Sequence, residues 1–281
     1  MESESAIGQL VQQMNDRTAE APFTVVRTDL LQAGRHSIAV AIVYRRDSVI
    51  PIGLPAVLNT EAHLDFDDQR HRPSLAQSFR AVATGESLTI VVNHFKSKGS
   101  DCDSAGDPDE GDGQGNCNLT RTRAARALAE WLAEDPTRVM GAPVLVLGDL
   151  NAYPFEDPLR ALEFAGYVDL ISQFRGSSEY TFVFDGQAGR LDYALARSDL
   201  AGSYKGNGRE GISLPAAGIG GGGQRLKKIL RCGHPGEMGP VDSNGDEGGS
   251  KNSGFRFGPE SLPGAGGAFR GFCYGSAGGC G

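Results

Sequence analysis

The 281-residue sequence has little positive charge, few aromatic residues and no long apolar run. It carries 27 Lys and Arg against 35 Asp and Glu, a formal net charge of −8, and only 7% of its residues are aromatic. An acidic chain has no general electrostatic attraction for polyanions, so a polyanionic ligand would need bound cations or a local group of basic side chains. No signal peptide or membrane-spanning stretch is visible, which says little about the destination of the protein.

The two ends of the chain differ in composition. Of 40 Gly residues, 25 follow residue 200. Residues 1–200 carry 18 Lys and Arg against 29 Asp and Glu, a net of −11, whereas residues 201–281 carry 9 against 6, a net of +3. The tail has no apolar periodicity with which to form a core. We predict a folded domain over residues 1–200, and over 201–281 a disordered tail, an RNA-binding arm or an out-of-frame translation.

The sequence contains five Cys residues, of which Cys102 and Cys117 bracket a polar loop. The pair is either a disulfide of a secreted protein or two free thiols. Between them, residues 107–113 alternate acids with Gly and loosely match a calcium-binding loop, without the distal Glu that such loops use. We predict a solvated loop, with a dedicated ion site as the alternative.

The chain is organised around an apolar stretch, residues 143–147, that leads into Gly148 and Asp149, with Asn151 two residues further on. An uninterrupted apolar run of this length predicts a strand buried on both faces. Its end places a carboxylate and a carboxamide together, which can hold a cation, order a water or bind a phosphate oxygen. Alternatively, the two residues only form the turn after the strand.

Two more predicted strands end in, or carry, polar groups. Residues 88–94 end in Asn93 and His94, and Lys96 and Lys98 follow. Residues 190–196 carry Asp192 among apolar neighbours. If these strands neighbour the central one, His94, Asp192 and the Asp149–Asn151 pair converge in one cleft. His94 as an ordinary residue at a strand end, and the lysines as solvated side chains, are the simpler alternatives.

The remaining pattern alternates helices and strands, which indicates a layered α/β sandwich. Residues 61–72 are polar, and His71 is expected to be solvated there. Residues 180–185 and 190–196 are expected to pair as a hairpin. The other predicted elements are helices at 5–17, 119–132 and 157–165 and strands at 23–26, 37–44 (central), 45–55 (an edge strand with a Pro) and 74–82.

Five motifs, in this order along roughly the first 200 residues, resemble the endonuclease/exonuclease/phosphatase superfamily. The sequences of these motifs are most similar to those of bacterial extracellular nucleases. The resemblance implies a layered α/β sandwich of that type, here incomplete. The motifs are Met1-Glu2-Ser3-Glu4, His94-Phe95-Lys96-Ser97-Lys98-Gly99, Asn118-Leu119-Thr120-Arg121-Thr122-Arg123, Gly148-Asp149-Leu150-Asn151-Ala152 and Gly189-Arg190-Leu191-Asp192-Tyr193.

The resemblance also implies a function, metal-dependent hydrolysis of phosphodiesters in nucleic acid, with DNA as the expected partner and no membrane or protein partner. The expected cation is Mg²⁺, with Mn²⁺ and Ca²⁺ as alternatives, and the expected location is extracellular or periplasmic. The implied metal ligands are Glu2 and Asp149. The implied catalytic residues are His94, Asp149, Asn151 and Asp192, and the implied substrate-binding residues are Asn93, Lys96 and Lys98.

The sequence departs from the family at both ends. The Ser-Asp-His-x-Pro strand, whose His the acid at Asp192 would orient, is not found, and neither is the family's first strand. The chain resembles the middle of a nuclease, and we expect weak activity or none. Two other interpretations remain open: a phosphatase or phosphodiesterase acting on small or lipid phosphoesters, and a non-catalytic secreted binding module of the same fold.

Overall fold

The computed structural model describes residues 4–18, 20, 22–28, 39–176 and 178–197. The predicted ligand Glu2 and the Gly-rich tail lie outside these ranges. The helices are α1 (Glu4–Asp16), α2 (Asn118–Ala133), α3 (Asp157–Phe164) and α4 (Leu170–Arg175). The strands are β1 (Phe23–Val25), β2 (Val43–Arg45), β3 (Val49–Leu58), β4 (Arg72–Ala81), β5 (Ser87–His94), β6 (Val144–Asp149), β7 (Tyr167–Asp169), β8 (Phe182–Phe184), β9 (Gln187–Gly189) and β10 (Asp192–Arg197).

The fold is a mixed α/β arrangement around a six-stranded sheet of order β3-β4-β5-β6-β10-β7. Strands β5 and β6 pair in parallel and are connected through α2, whereas the other pairs are antiparallel. Strand β3 lies at one edge, as Pro51 predicts, because proline cannot donate a hydrogen bond to a neighbouring strand. The parallel pair puts the ends of β5 and β6 at the same edge of the sheet.

Both faces of the sheet are covered, which explains the continuous apolar runs of its central strands. On one face, Val91 and Val146 pack with Leu128 of α2 and Leu162 of α3. On the other face, alternate residues such as Ile90 of β5 pack with α4 and with the segment that precedes β2. The layered α/β architecture predicted from the sequence is therefore confirmed.

Two details of the prediction are wrong. Within residues 39–44, only 43–44 are strand, and they belong to β2, which pairs with β1 outside the main sheet. The apolar run there packs against the sheet instead of forming its centre. The stretch 180–185 does begin a hairpin, but β8 pairs with β9, and β10 pairs with β6 and β7.

The loop after β5 is closed by a disulfide between Cys102 and Cys117. Both residues are buried, and Cys117 directly precedes α2. The disulfide therefore ties the acidic loop to the start of the helix that packs on the sheet. No helix in the described ranges is long and apolar enough to cross a membrane.

Candidate active site

Four polar residues form one row across the sheet. Arg72 of β4 pairs in register with His94 of β5, and His94 pairs with Asp149 of β6. Asp149 in turn pairs with Asp192 of β10. Residues paired in register point to the same face of a sheet. The row brings together three residues that the sequence expects to converge, and it adds Arg72.

The two carboxylate oxygens of Asp149 have different partners. Oδ1 accepts a hydrogen bond of 2.8 Å from the backbone N–H of Asn151. This is the local turn that Asp residues commonly make. Oδ2 lies 3.8 Å from Nε2 of His94. One oxygen therefore holds the turn, and the other faces the imidazole.

Burial perturbs both carboxylates of the row. The side chain of Asp149 is 16% exposed. Burial, and then repulsion by Asp192, raise the pKa of Asp149 from 3.8 to about 7, although Arg72 acts in the opposite direction. Burial also raises the pKa of Asp192, against a hydrogen bond from Thr181. Two neighbouring acids with raised pKa values are typical of a site that handles protons or binds a cation.

One dipeptide, Phe95-Lys96, links the parts of the site through its backbone. The N–H of Phe95 donates to the carbonyl of Asp149, and Nδ2 of Asn151 donates to the carbonyl of Phe95 at 2.9 Å. The N–H of Lys96 donates to Nδ1 of His71, and Nη1 of Arg121 donates to the carbonyl of Lys96. All four backbone groups are thus used to fix the segment that follows His94.

The three residues expected to bind substrate have other contacts in the structure. Nζ of Lys96 donates to oxygens of Ser97 and Ser100 in its own loop. Lys98 pairs with Glu156. Asn93 is fully buried, and its amide donates to a carbonyl of β6. This placement does not favour a direct contact between Asn93 and a substrate, and the lysines would have to leave their present partners to bind phosphate.

The sequence interpretation missed two arginines. Arg72 opens β4, and its position beside His94 depends on an antiparallel register that no local pattern reveals. Arg121 lies in α2, and although arginine side chains are mostly exposed, this one is fully buried. Its guanidinium donates to the carbonyls of three loop residues, Lys96, Gln114 and Asn116. The buried guanidinium of Arg121 therefore fixes the loops around the site through these hydrogen bonds.

His71 is also a correction, because it is buried rather than solvated. Its ring lies 5.2 Å from the rings of both Phe66 and Phe95. Burial lowers the pKa of His71 from 6.5 to about 3, so the imidazole is neutral and Nδ1 can accept the Lys96 N–H. The neutral ring of His71 therefore helps to fix the backbone that follows His94, through its hydrogen bond with Lys96.

We expect His71 to make the fold sensitive to acid. Its pKa in the folded state lies below the unfolded value of about 6.5, so the unfolded chain binds the extra proton as the pH falls below that value. Between pH 7.5 and pH 5 this should remove about 2 kcal/mol from the free energy of unfolding. The substitution His71→Asn, which retains an acceptor, should abolish this component in urea titrations compared with the wild type. An unchanged difference between the two pH values would contradict the assignment.

The sequence matches a known family over most of the described domain. The profile of the Endonuclease/Exonuclease/phosphatase family matches residues 15–213. The chain belongs to this family. Its members are hydrolases and generally depend on divalent metal ions. The match does not distinguish branches of the family, so the likeness to bacterial extracellular nucleases stays a prediction.

Solved structures of the endonuclease/exonuclease/phosphatase fold are similar to this one. The human nocturnin catalytic domain has 14% identity over 69% of this chain and 65% of that domain, with a TM-score of 0.44. A mannosyl-6-phosphatase from Bacteroides thetaiotaomicron has 16% identity over 68% and 75%, with a TM-score of 0.43. D. rerio TDP2 in complex with a single-strand DNA product has 16% identity over 67% and 66%, with a TM-score of 0.45. None of the curated protein sequences matches the chain.

The described residues offer part of a metal site. Within these ranges no group of three or more His, Cys, Asp or Glu residues could hold an ion by itself. Asp149 and Asp192, however, present two neighbouring carboxylates whose repulsion a cation would relieve. Mg²⁺ is usually bound by one or two carboxylates, with water and substrate phosphate completing its shell. The row therefore fits a hard cation of this kind.

Proposed function

We propose that the chain is a metal-dependent phosphodiesterase that cleaves nucleic acid. The observation that supports this most is the row of Arg72, His94, Asp149 and Asp192 at one edge of the sheet. Hydrolysis of a phosphodiester needs a group that takes a proton from water, donors aimed at the phosphoryl oxygens and positive charge beside them. The row contains a residue suited to each of these tasks.

The roles follow from the positions of the side chains. Asp149 can order the attacking water or share the cation; its pKa of about 7 belongs to the site without a cation and would fall when one binds. His94, whose Nε2 is 3.8 Å from Asp149, can donate a hydrogen bond to a phosphoryl or leaving oxygen. Asn151 holds the turn and the Phe95 carbonyl, so we assign it to positioning. Arg72 supplies positive charge beside the pair.

A divalent cation is the expected cofactor. Asp149 would hold it, with Glu2 as the second ligand that the resemblance implies, and Mg²⁺ is the first candidate because the donors are oxygens. When bound, the cation would neutralise phosphoryl charge and lower the pKa of a water. Residues 1–200 carry a net charge of −11, so a bound cation would also help this domain to attract a polyanion.

The proposal predicts cleavage of plasmid DNA that depends on metal. Supercoiled plasmid incubated with the purified chain and Mg²⁺ or Mn²⁺ should be nicked only slowly, because the family's Ser-Asp-His-x-Pro motif is not found in the sequence, and EDTA should abolish the nicking. The matched substrate is a soluble phosphomonoester, which we expect to stay intact. Because phosphatases share the fold, hydrolysis of the monoester with intact plasmid would replace this proposal by a phosphatase. Binding of metal without turnover of either substrate would favour a non-catalytic module.

A further inference from the structure

Tyr193 follows Asp192 in β10 and points to the other face of the sheet, because successive side chains of a strand alternate. It pairs with Gly148 of β6 and is buried in the same apolar cluster as Leu150 and Ala152. A phenolic hydroxyl in such a place needs hydrogen-bond partners. The partners of this hydroxyl lie next to the candidate active site.

The hydroxyl of Tyr193 joins the two chain segments that carry the acids of the row. Its oxygen lies 2.9 Å from the carbonyl oxygen of Ala152 and 2.9 Å from that of Arg190. Ala152 comes three residues after Asp149, and Arg190 comes two residues before Asp192. One hydroxyl proton is therefore shared between the two carbonyls in a three-centre hydrogen bond, which ties these segments together.

The ring of Tyr193 is held from a second side by Arg190, whose side chain is almost fully buried. The guanidinium carbon lies 4.9 Å from the ring centroid. Nη2 of Arg190 donates to Oδ2 of Asp169 and, at 2.8 Å, to Oγ of Ser172. Asp169 in turn caps α4, since its Oδ1 accepts from the backbone N–H groups of Ile171 and Ser172. The position of the hydroxyl is therefore set by α4 and β10, and not by the loop that it holds.

Backbone bonds align the two acids up to the ends of their strands. Asp149 and Asp192 are paired in register between β6 and β10, and just beyond them the N–H of Leu150 donates to the carbonyl of Leu191 at 2.9 Å. The hydroxyl of Tyr193 adds a link further along both chains. Because two buried carboxylates repel each other, the chains that carry them need such links to stay close together.

We propose that Tyr193 is a positioning residue, which sets the separation of the Asp149 and Asp192 carboxylates. The inference rests on the proposed function, because a cation and its waters are what the two carboxylates would have to face together. Mg²⁺ tolerates little departure from octahedral geometry, so a small displacement of either acid should weaken its binding. Arg190 acts through Tyr193 by holding the ring in place.

The test is Tyr193→Phe in the full chain, a substitution that removes one hydroxyl and keeps the ring. In metal-free protein, amide hydrogen exchange followed by NMR should accelerate about five- to tenfold at Leu150 and Asn151, the loss expected when one hydrogen bond is removed. Amides of β4 should exchange as in the wild type. The Kd for Mn²⁺, measured from the electron paramagnetic resonance of the free ion, should also rise about five- to tenfold.

The matched control is Tyr167→Phe, which removes the hydroxyl of an equally buried tyrosine in β7. Strand β7 pairs with the far end of β10, from Leu195 to Arg197, so this variant leaves the link to Ala152 in place. Exchange at the two amides and the Kd for Mn²⁺ should stay within about twofold of the wild type. A loss common to both variants would reflect the removal of any buried hydroxyl and would overturn the assignment.

Other results would also overturn the inference. Unchanged exchange at Leu150 and Asn151 in Tyr193→Phe would show that the hydroxyl does not hold these segments. Equal acceleration in β4 would make Tyr193 a residue of general stability, and an equal Kd for Mn²⁺ in a wild type that binds the ion would remove its role at the site. If the wild type neither binds Mn²⁺ nor cleaves plasmid, faster exchange at the two amides alone would support the positioning role and reject only the proposed hydrolysis.

Discussion

Replacement of Asp149 by Asn is expected to lower the rate of phosphodiester hydrolysis by about 10²–10⁴-fold, the contribution of a positioned acid or base. Asn retains the shape of the side chain and an oxygen that can accept the Asn151 N–H, so the turn should persist. It removes the charge that faces His94 and would hold the cation. The rate should be measured on plasmid with saturating Mg²⁺, with exposed Asp65→Asn as the matched control.

Asp149→Asn should lower the rate of hydrolysis but increase the stability of the fold at alkaline pH. Because the pKa of Asp149 is raised on folding, the contribution of this residue to stability is fully present below about pH 4 and is lost as the pH rises through about 7. At pH 8 without metal, Asp149→Asn should therefore raise the free energy of unfolding by a few kcal/mol, at about 1.4 kcal/mol per pKa unit. A variant that keeps half of the wild-type rate, or that is less stable at pH 8, would contradict the assignment of Asp149.

The local pattern predicted the ends of the central strands well. The apolar runs before His94 and Asp149 require burial on both faces, and parallel neighbours end at the same edge. This is why His94 and Asp149 could be expected together, whereas Asp192 joins them because it begins β10, which runs antiparallel to β6. Pro51 likewise identified an edge strand, because its missing N–H cannot join a sheet ladder.

The parts that could not be predicted depend on contacts between distant segments. His71 lies in a polar loop and is buried only because Phe66 and Phe95 close over it. Arg121 sits in a helix whose periodicity gives no reason to bury a guanidinium, and its three carbonyl acceptors come from loops. Arg72 joins the row through register alone. Long-range partners of this kind have no local pattern in the sequence.

Replacement of Gly148 by Ala is expected to cost about 3 kcal/mol or more of the free energy of unfolding. Gly148 has φ of 126°, which side chains rarely adopt, and its Cβ would lie 2.1 Å from the carbonyl oxygen of Asn93. The backbone strain and the clash each typically cost about 1–3 kcal/mol. The clash cannot relax cheaply, because the atom it meets is backbone of β5, directly beside His94.

Gly141→Ala separates these two effects. Gly141 also has a positive φ, 74°, but nothing lies within 4 Å of an added Cβ, so only the backbone strain should appear. In urea unfolding we expect Gly141→Ala to lose about 1 kcal/mol and Gly148→Ala several times more. Equal losses would mean that β5 and β6 can move apart at this point. Since that movement would also carry His94 away from Asp149, close packing at Gly148 is a condition for the site as well as for the sheet.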